Sequence, residues 1–543
     1  MPVLAEELRA QDAVLRHRGV EIWVGAEPTF TDRTSQEPWW LFAAEGGDKE
    51  ARALTLLAAL ARGLEAGPPE RLAGRQFPGE AAPRFCHGVL AGGALFTAMP
   101  DPAVVEVNMA PAPDLATYLA WSEAVHAAAA EAGLSAERWR FNGQATDSGG
   151  GGQVTLGGPT PEASPFFRHP QLLPRLVRWL ANHPSLSYAF APECIGSASQ
   201  GPRPDEGARE RFEELVVALD RLERRGEHLG PAELWESLAP LLVDASGNSH
   251  RAEVNVEKLW NPFLAGRGKL GLVELRALRM QPSAARQAAV AALFRALAAR
   301  LATVPYDDPL ADWGAALHDQ FALPHFLAED LAEVLSELEG RGLGLGPAAR
   351  ALLAEGPAPL AQVALDGATL TVTRAIEFWP LVGDVASQEQ SGARLVDAST
   401  ARVQVAVTHA PGAFPGRVAA AGWELPLHAV DGGRKHLAGV RWRAFAPRPG
   451  LHPGLPALDP LVLHWERDGK RIGIELHGWI PGGGAYPGLP SDAAEAGRRR
   501  RERVRLVEPP RLTPRTPPAP PGYTLDLRRL DALRATRPDG GLP

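Results

Sequence analysis

Residues 20–30, VEIWVGAEPTF, place Glu27 at the end of an apolar, strand-forming run, and three runs of the same character follow far downstream. They are VVEVNMA at 104–110 with Glu106, HRAEVNV at 250–256 with Glu253, and LVELRAL at 272–278 with Glu274. Glutamate is depleted in strand interiors, and a carboxylate withdrawn from water is normally paired, protonated or bound to a metal. One such acid carries little information, but four suggest a site. Alternate residues of a strand project from one face, so adjacent strands can bring four carboxylates together on hard cations. The pattern therefore predicts a magnesium–nucleotide site on a sheet.

With 543 residues the chain can build several cores, so two or three domains are expected. The hydrophobic fraction of 45% is ordinary for a globular enzyme, and no apolar run approaches the roughly 20 residues that cross a bilayer. The N-terminal stretch is charged, helical in pattern and without the apolar centre of a secretory signal, which leads to the expectation of a cytoplasmic protein with no membrane partner. Two cysteines, Cys86 and Cys194, exclude a disulfide framework and any multi-cysteine zinc module. A formal charge of −8 argues against a nucleic-acid-binding surface. One basic run, Arg498 to Arg501, follows DAAEAG in a helical pattern and reads first as a solvated helix face.

Strands and helices alternate over the first half. Helical spacing runs through DKEARALTLLAALARGLEAG, and Asp114 is placed to cap the helix of DLATYLAWSEAVHAAAAEAG. Helices dominate from about Pro170 to Leu242. RAEVNVEKL and LGLVELRALR read as two strands of a hairpin with a long connection, and helices resume from Ala284 to about Leu353. Beyond Glu355 several runs have strand spacing, among them ATLTVTRAIEFW, ARVQVAVTHA and RIGIELHGW. The expected fold is therefore α+β: residues 1–385 as a catalytic domain, 386–508 as a small antiparallel β domain with its boundary near Gly383 to Gly392, and 509–543 as a Pro-rich, disordered tail.

Glu274 and Arg276, two apart on a strand, share a face about 7 Å apart, so a carboxylate would hold a cation while a guanidinium meets phosphate oxygens. A cross-strand salt bridge is the alternative reading. Gly149, Gly150, Gly151 and Gly152 allow backbone amides to approach a ligand closely, although neither a Walker loop nor a dinucleotide fingerprint is present. Arg251, Glu253 and Asn255 alternate and would share one face. His318 and His325 are as readily core or capping histidines as ligands. There is no HExxH helix, GxSxG elbow or kinase set, and Cys86 and His87, being adjacent on a strand, point to opposite faces.

Eight segments in order, GAEPTF, VVEVNMAP, DSGGGGQVTLGG, HPSLSYAF, SGNSHRAEVNVEKLW, LVELRAL, WGAALHDQFALPHF and PGGGAY, resemble the uncharacterised bacterial family of proposed amidoligases, whose members often follow a transglutaminase-like domain. That family is grouped with glutamine synthetase and glutamate-cysteine ligase. The resemblance implies a curved antiparallel sheet of the glutamine synthetase type with helical insertions, ATP and Mg²⁺ as cofactors, and amide or peptide bond formation between a carboxylate and an amine through an acyl phosphate. It implies Glu27, Glu106, Glu253 and Glu274 as metal ligands, Asn108 beside Glu106, Arg276 on phosphate and Arg251 as a further catalytic residue. Many relatives carry Asn-His where this chain has Gly152-Gln153, so Gln153 would replace a histidine ligand with a neutral carbonyl oxygen. The transglutaminase-like portion is missing, and a separate transglutaminase-like or ATP-grasp-like protein is the expected partner. The runner-up is a non-catalytic peptide-binding scaffold, and a third reading uses a cysteine on glutamine amides.

Overall fold

The computed structural model describes residues 2–33, 48–72, 86–101, 104–149, 151–264, 268–381, 396–446, 450–508, 513–518 and 522–532. Its strands in the N-terminal part are β1 (Trp23–Glu27), β2 (Thr29–Phe30), β3 (Glu70–Leu72), β4 (Cys86–Ala91), β5 (Ala94–Asp101) and β6 (Val104–Ala112), then β7 (Glu137–Trp139), β8 (Ala145–Asp147), β9 (Gln153–Gly157), β10 (Cys194–Ile195), β11 (Val254–Asn255) and β12 (Val273–Leu275). Nine of them form one sheet in the order β11-β12-β9-β1-β6-β5-β4-β3, with β2 beside β6. Its pairings are antiparallel throughout.

The period of two divides this sheet into unlike faces. Val24, Ala26, Val154, Leu156, Val254, Val273 and Leu275 belong to the main core, packed with the helices Leu115–Glu131 and Ala284–Thr303. Each large aliphatic side chain buried in this way contributes roughly 1.5–3 kcal/mol. Ala284–Thr303 is apolar almost all round, as suits a helix enclosed by its neighbours. Arg286, Gln287, Arg295 and Arg300 are its buried polar exceptions, and Arg295 bears on the sheet. The Arg295 guanidinium pairs with Asp12 and donates to the carbonyl of Ile22 at 2.8 Å, while Asp12 accepts from Leu115 N at 3.1 Å. The start of β1 is thereby pinned to two helices, and the opposite, polar face of the sheet is held in place.

The C-terminal part holds a six-stranded and a five-stranded sheet that share one core. Strands Pro359–Leu365 and Ala368–Arg374 already belong to it, since Ala368–Arg374 pairs with Thr400–Thr408. A division at 385 would cut this sheet off from its first two strands, which hydrogen bonding and the burial of Leu370 and Val372 assign to the β domain. The expected boundary at Gly383 to Gly392 itself lies outside the described residues. The tail also needs correction. Thr524–Asp526 adds a parallel strand to Lys435–Arg443, and Leu525, Leu527 and Leu530 enter the core, because an alternating apolar segment follows the prolines.

Several contacts join the halves, among them an apolar cluster that includes Tyr188, Leu323, Phe326, Ala406 and Leu437, and the Arg374–Glu193 ion pair. β10 pairs in parallel with Glu377–Phe378, and the helix Ala493–Glu502 docks on the β7–β8 hairpin. Arg499, in the run expected to face solvent, is buried: it donates to the carbonyls of Phe141 at 2.6 Å and Gly488 at 2.5 Å. Among the described residues no helix is long and apolar enough to cross a membrane.

Candidate functional site

On the polar face, strand order brings Glu27 and Glu274 together across β9. Glu27 lies opposite Gln153, and Glu274 lies opposite Thr155 and Asn255. Lys258 Nζ donates to Glu27 at 2.8 Å, and Arg276 Nη1 donates to Glu274 at 3.0 Å and to the Gln153 side-chain oxygen at 3.3 Å. Glu27 and Glu274 share a hydrogen bond, so the four charges form one unit. Burial works to raise the Glu27 carboxyl, but the charge and hydrogen bond of Lys258 hold it below its ordinary value. Burial, then the charge of Glu27, push Glu274 up against Arg276 and Lys258. The two carboxyls are thus shifted in opposite directions, Glu27 down and Glu274 up.

Glu106 sits on the same face, opposite Thr29, where Asn108 Nδ2 donates to it at 3.0 Å. Among the described residues, the one group of three His, Cys, Asp or Glu ligand atoms within 4.8 Å is His325, Glu329 and Asp431, at the start of the helix Pro324–Gly340. Glu27, Glu106 and Glu274 thus do not converge as a three-carboxylate cage. The donors at hand are the Glu27 and Glu274 carboxylates and the Gln153 carbonyl oxygen, a hard-oxygen set that suits magnesium. Lys258, 30% exposed, already neutralises Glu27.

Glu253 departs from the expected set. β11 is only two residues long, and a 3-10 turn, Ser249–Arg251, precedes it, so Arg251, Glu253 and Asn255 do not form the alternating strand face the sequence suggests. Glu253 accepts from Ser187 and lies 3.7 Å from Arg203, a fully buried guanidinium that Asp205 holds at 2.9 and 3.0 Å. Burial pushes the Glu253 carboxyl up to about 7 against the charge of Arg203, with Asp205 and Glu206 adding to the rise. Nearby, Glu206 pairs with His318 at 2.8 Å and with the Tyr188 hydroxyl, which places His318 in a buried polar network.

The glycine run is used inside the protein. Gly149 N donates to Asp147 at 2.8 Å and Gly152 N to the Glu27 carbonyl at 3.1 Å. Gly152 has φ +111°, and a Cβ there would overlap the Arg279 backbone, so glycine is required by packing. Gly151 likewise faces the Glu27 carbonyl, and Gly150 lies outside the described residues.

Beyond Arg276 a pocket of about 210 Å³ opens, lined by Arg138, Arg140, Arg276, Arg279, Gly149 and Ser187. Its size suits an anionic group rather than a whole nucleotide. Four guanidinium groups line it together with the carboxylates of Asp147 and Glu193, which leaves a positive excess around a small volume. Sequence reasoning singled out Arg276 but missed Arg138, Arg140 and Arg279; the available signals were the alternation of ERWR and an arginine three residues past Arg276. Cys194 also lines this pocket, but burial, then Glu193 and Asp147, push its thiol up to about 11, which disfavours a thiolate nucleophile.

No curated protein matches the chain. A family model spans residues 94–528, a stretch that includes Glu106, Gln153, Glu253, Glu274 and Arg276 and begins after Glu27. With most of its length matched, the chain belongs to the family described as "Putative amidoligase enzyme (DUF2126)".

Proposed function

We propose that the chain is an ATP- and magnesium-dependent carboxylate–amine ligase that forms its amide or peptide bond through an acyl phosphate, on a sheet of the glutamine synthetase type. The observation that carries this reading is the continuity of the site: the Glu27–Glu274 pair leads through Arg276 into the arginine-lined pocket. A ligase that activates a carboxylate needs this order of charges, with anionic oxygens for the metal on one side and cations for a transferring phosphoryl group on the other.

Glu27, Glu274 and Gln153 would hold magnesium, with Glu106 and Asn108 next along the face. Bound metal would neutralise phosphate charge and make the terminal phosphorus susceptible to a carboxylate. Glu274 and Gln153 orient the Arg276 guanidinium through Nη1, and Arg276 lines the small pocket where a phosphoryl group would sit. Arg279 and Arg138 spread positive charge over the same pocket. A cation held there would favour the ionised form of both carboxylates.

Calorimetric titration of ATP with and without Mg²⁺ tests the reading, alongside Glu274→Gln. Metal-dependent binding that the substitution abolishes supports it. Absence of binding by the parent protein at millimolar ATP refutes it. That result would favour the non-catalytic peptide-binding scaffold, for which the Lys258–Glu27 bridge is the supporting observation, since a lysine then fills the cation's place permanently.

A further inference from the structure

A cavity of about 1860 Å³ lies between the nine-stranded sheet's half and the C-terminal sheets. It continues from the small pocket, with which it shares Arg138, Arg140, Arg279 and Trp379. Pockets for single small molecules hold roughly 300–1,000 Å³, so this one accommodates considerably more than a nucleotide or an amino acid. Its wall contains ten arginines and six carboxylates, a positive excess in a chain whose formal charge is −8.

The arginines crowd one another across the two halves. Arg140 and Arg374 share a single carboxylate, Glu193. Burial, together with the charges of Arg140 and Arg279, lowers Arg374 despite that carboxylate, and burial with the charges of Arg374 and Arg500 lowers Arg503. Arg503 Nε is buried without a hydrogen-bond partner. Like charges held together out of water are unfavourable until an anion joins them. Trp139, Trp379 and Trp479 add indole faces to the same wall.

We propose that this interdomain cavity binds an acidic peptide, laid between the two halves so that one of its carboxylates reaches the pocket beside Arg276. The role of that carboxylate as the group to be activated rests on the ligase reading; the binding itself does not. A peptide fits better than a nucleic acid. The six wall carboxylates are interspersed among the arginines and would repel an unbroken phosphate backbone, whereas a peptide can set neutral residues and amides against them.

Fluorescence anisotropy of a labelled oligoglutamate, an oligolysine and a single-stranded oligodeoxynucleotide, each titrated with the full chain, tests this. Oligoglutamate is expected to bind with an affinity that falls as salt rises. Arg279→Glu on one wall and Arg501→Glu on the other are each expected to weaken it about tenfold, with circular dichroism verifying the fold of each variant. No binding of oligoglutamate overturns the proposal, as does tighter binding of the oligodeoxynucleotide. An Arg501→Glu variant that folds and binds normally also overturns it, because the ligand would then occupy one half only. MgATP titration separates the two readings: peptide binding without MgATP binding sinks the ligase and keeps the cavity's ligand class, and the reverse outcome does the opposite.

Discussion

Replacing Glu253 with glutamine should change the pH dependence of stability by an amount the structure sets. Burial raises this carboxyl from its ordinary value of 4.5 to about 7 even though Arg203 lies 3.7 Å away. The folded state therefore keeps a proton that the unfolded chain releases. The associated stabilisation is complete below about pH 4.5 and lost as the pH climbs through 7, and a shift of this size corresponds to about 3 kcal/mol. Glutamine cannot ionise, yet it can still accept the Ser187 hydroxyl, and Arg203 remains held by Asp205 and by the carbonyls of Leu180 and Ala181 at 2.8 and 2.7 Å. Glu253→Gln should therefore gain about 2–3 kcal/mol relative to the parent protein between about pH 5 and about pH 8. Urea unfolding of both proteins at the two pH values measures this difference, and every other titrating group cancels. A difference that stays flat would mean that Glu253 is ionised throughout, with the charge of Arg203 outweighing burial, and would refute the argument.

The remaining predictions concern single positions. Gly152→Ala should cost about 1–3 kcal/mol or more, because φ is +111° and the added Cβ meets the Arg279 backbone; an unchanged melting temperature would contradict that packing. Glu27→Gln and Lys258→Met should each destabilise, and the double variant should fall short of their sum by about 1 kcal/mol or more in urea unfolding. Lys258→Met should also tighten Mg²⁺ binding in calorimetry without nucleotide, since it removes the cation that competes for Glu27; equal affinity would speak against Glu27 as a ligand. Gly143→Ala, at φ +78° against the Ala496 carbonyl, should loosen the docking of Ala493–Glu502 and speed limited proteolysis between the halves.

What the sequence made legible was local. Period-two runs located β1, β6 and β12, and the acids within them stood out because a strand interior disfavours glutamate. Their grouping was not local. Glu27 and Glu274 meet because β9 lies between β1 and β12, an order that depends on how helices cover the apolar face, and nothing in residues 20–30 or 272–278 encodes it. Glu253 was assigned to the same group because HRAEVNV alternates, but Asn248 caps a 3-10 turn that consumes the first residues of that run and turns the acid toward Arg203. The tail was misread in a comparable way: prolines at 509–521 dominated a segment whose last part, YTLDLRRL, alternates apolar residues as a core strand does.

The arginine run at 498–501 shows why charge alone misplaces residues. A block of like charge on a helix is assigned to solvent because unpaired burial is costly, and for Arg498 and Arg500 that reasoning holds. Arg499 escapes the penalty because its donors all find acceptors: Glu495 one turn earlier, and the carbonyls of Phe141 and Gly488. The Phe141 carbonyl comes from a hairpin more than three hundred residues upstream, so that part of the compensation is invisible until the halves are docked. Docking by Arg499 then fixes where Arg500, Arg501 and Arg503 stand, along the wall opposite Arg138 and Arg279. Arg499 thus holds one side of the cavity, while the apolar cluster around Leu323, Phe326 and Leu437 and the pairing of Cys194–Ile195 with Glu377–Phe378 hold the halves elsewhere, so a substitution that releases Arg499 should loosen that wall without separating the domains.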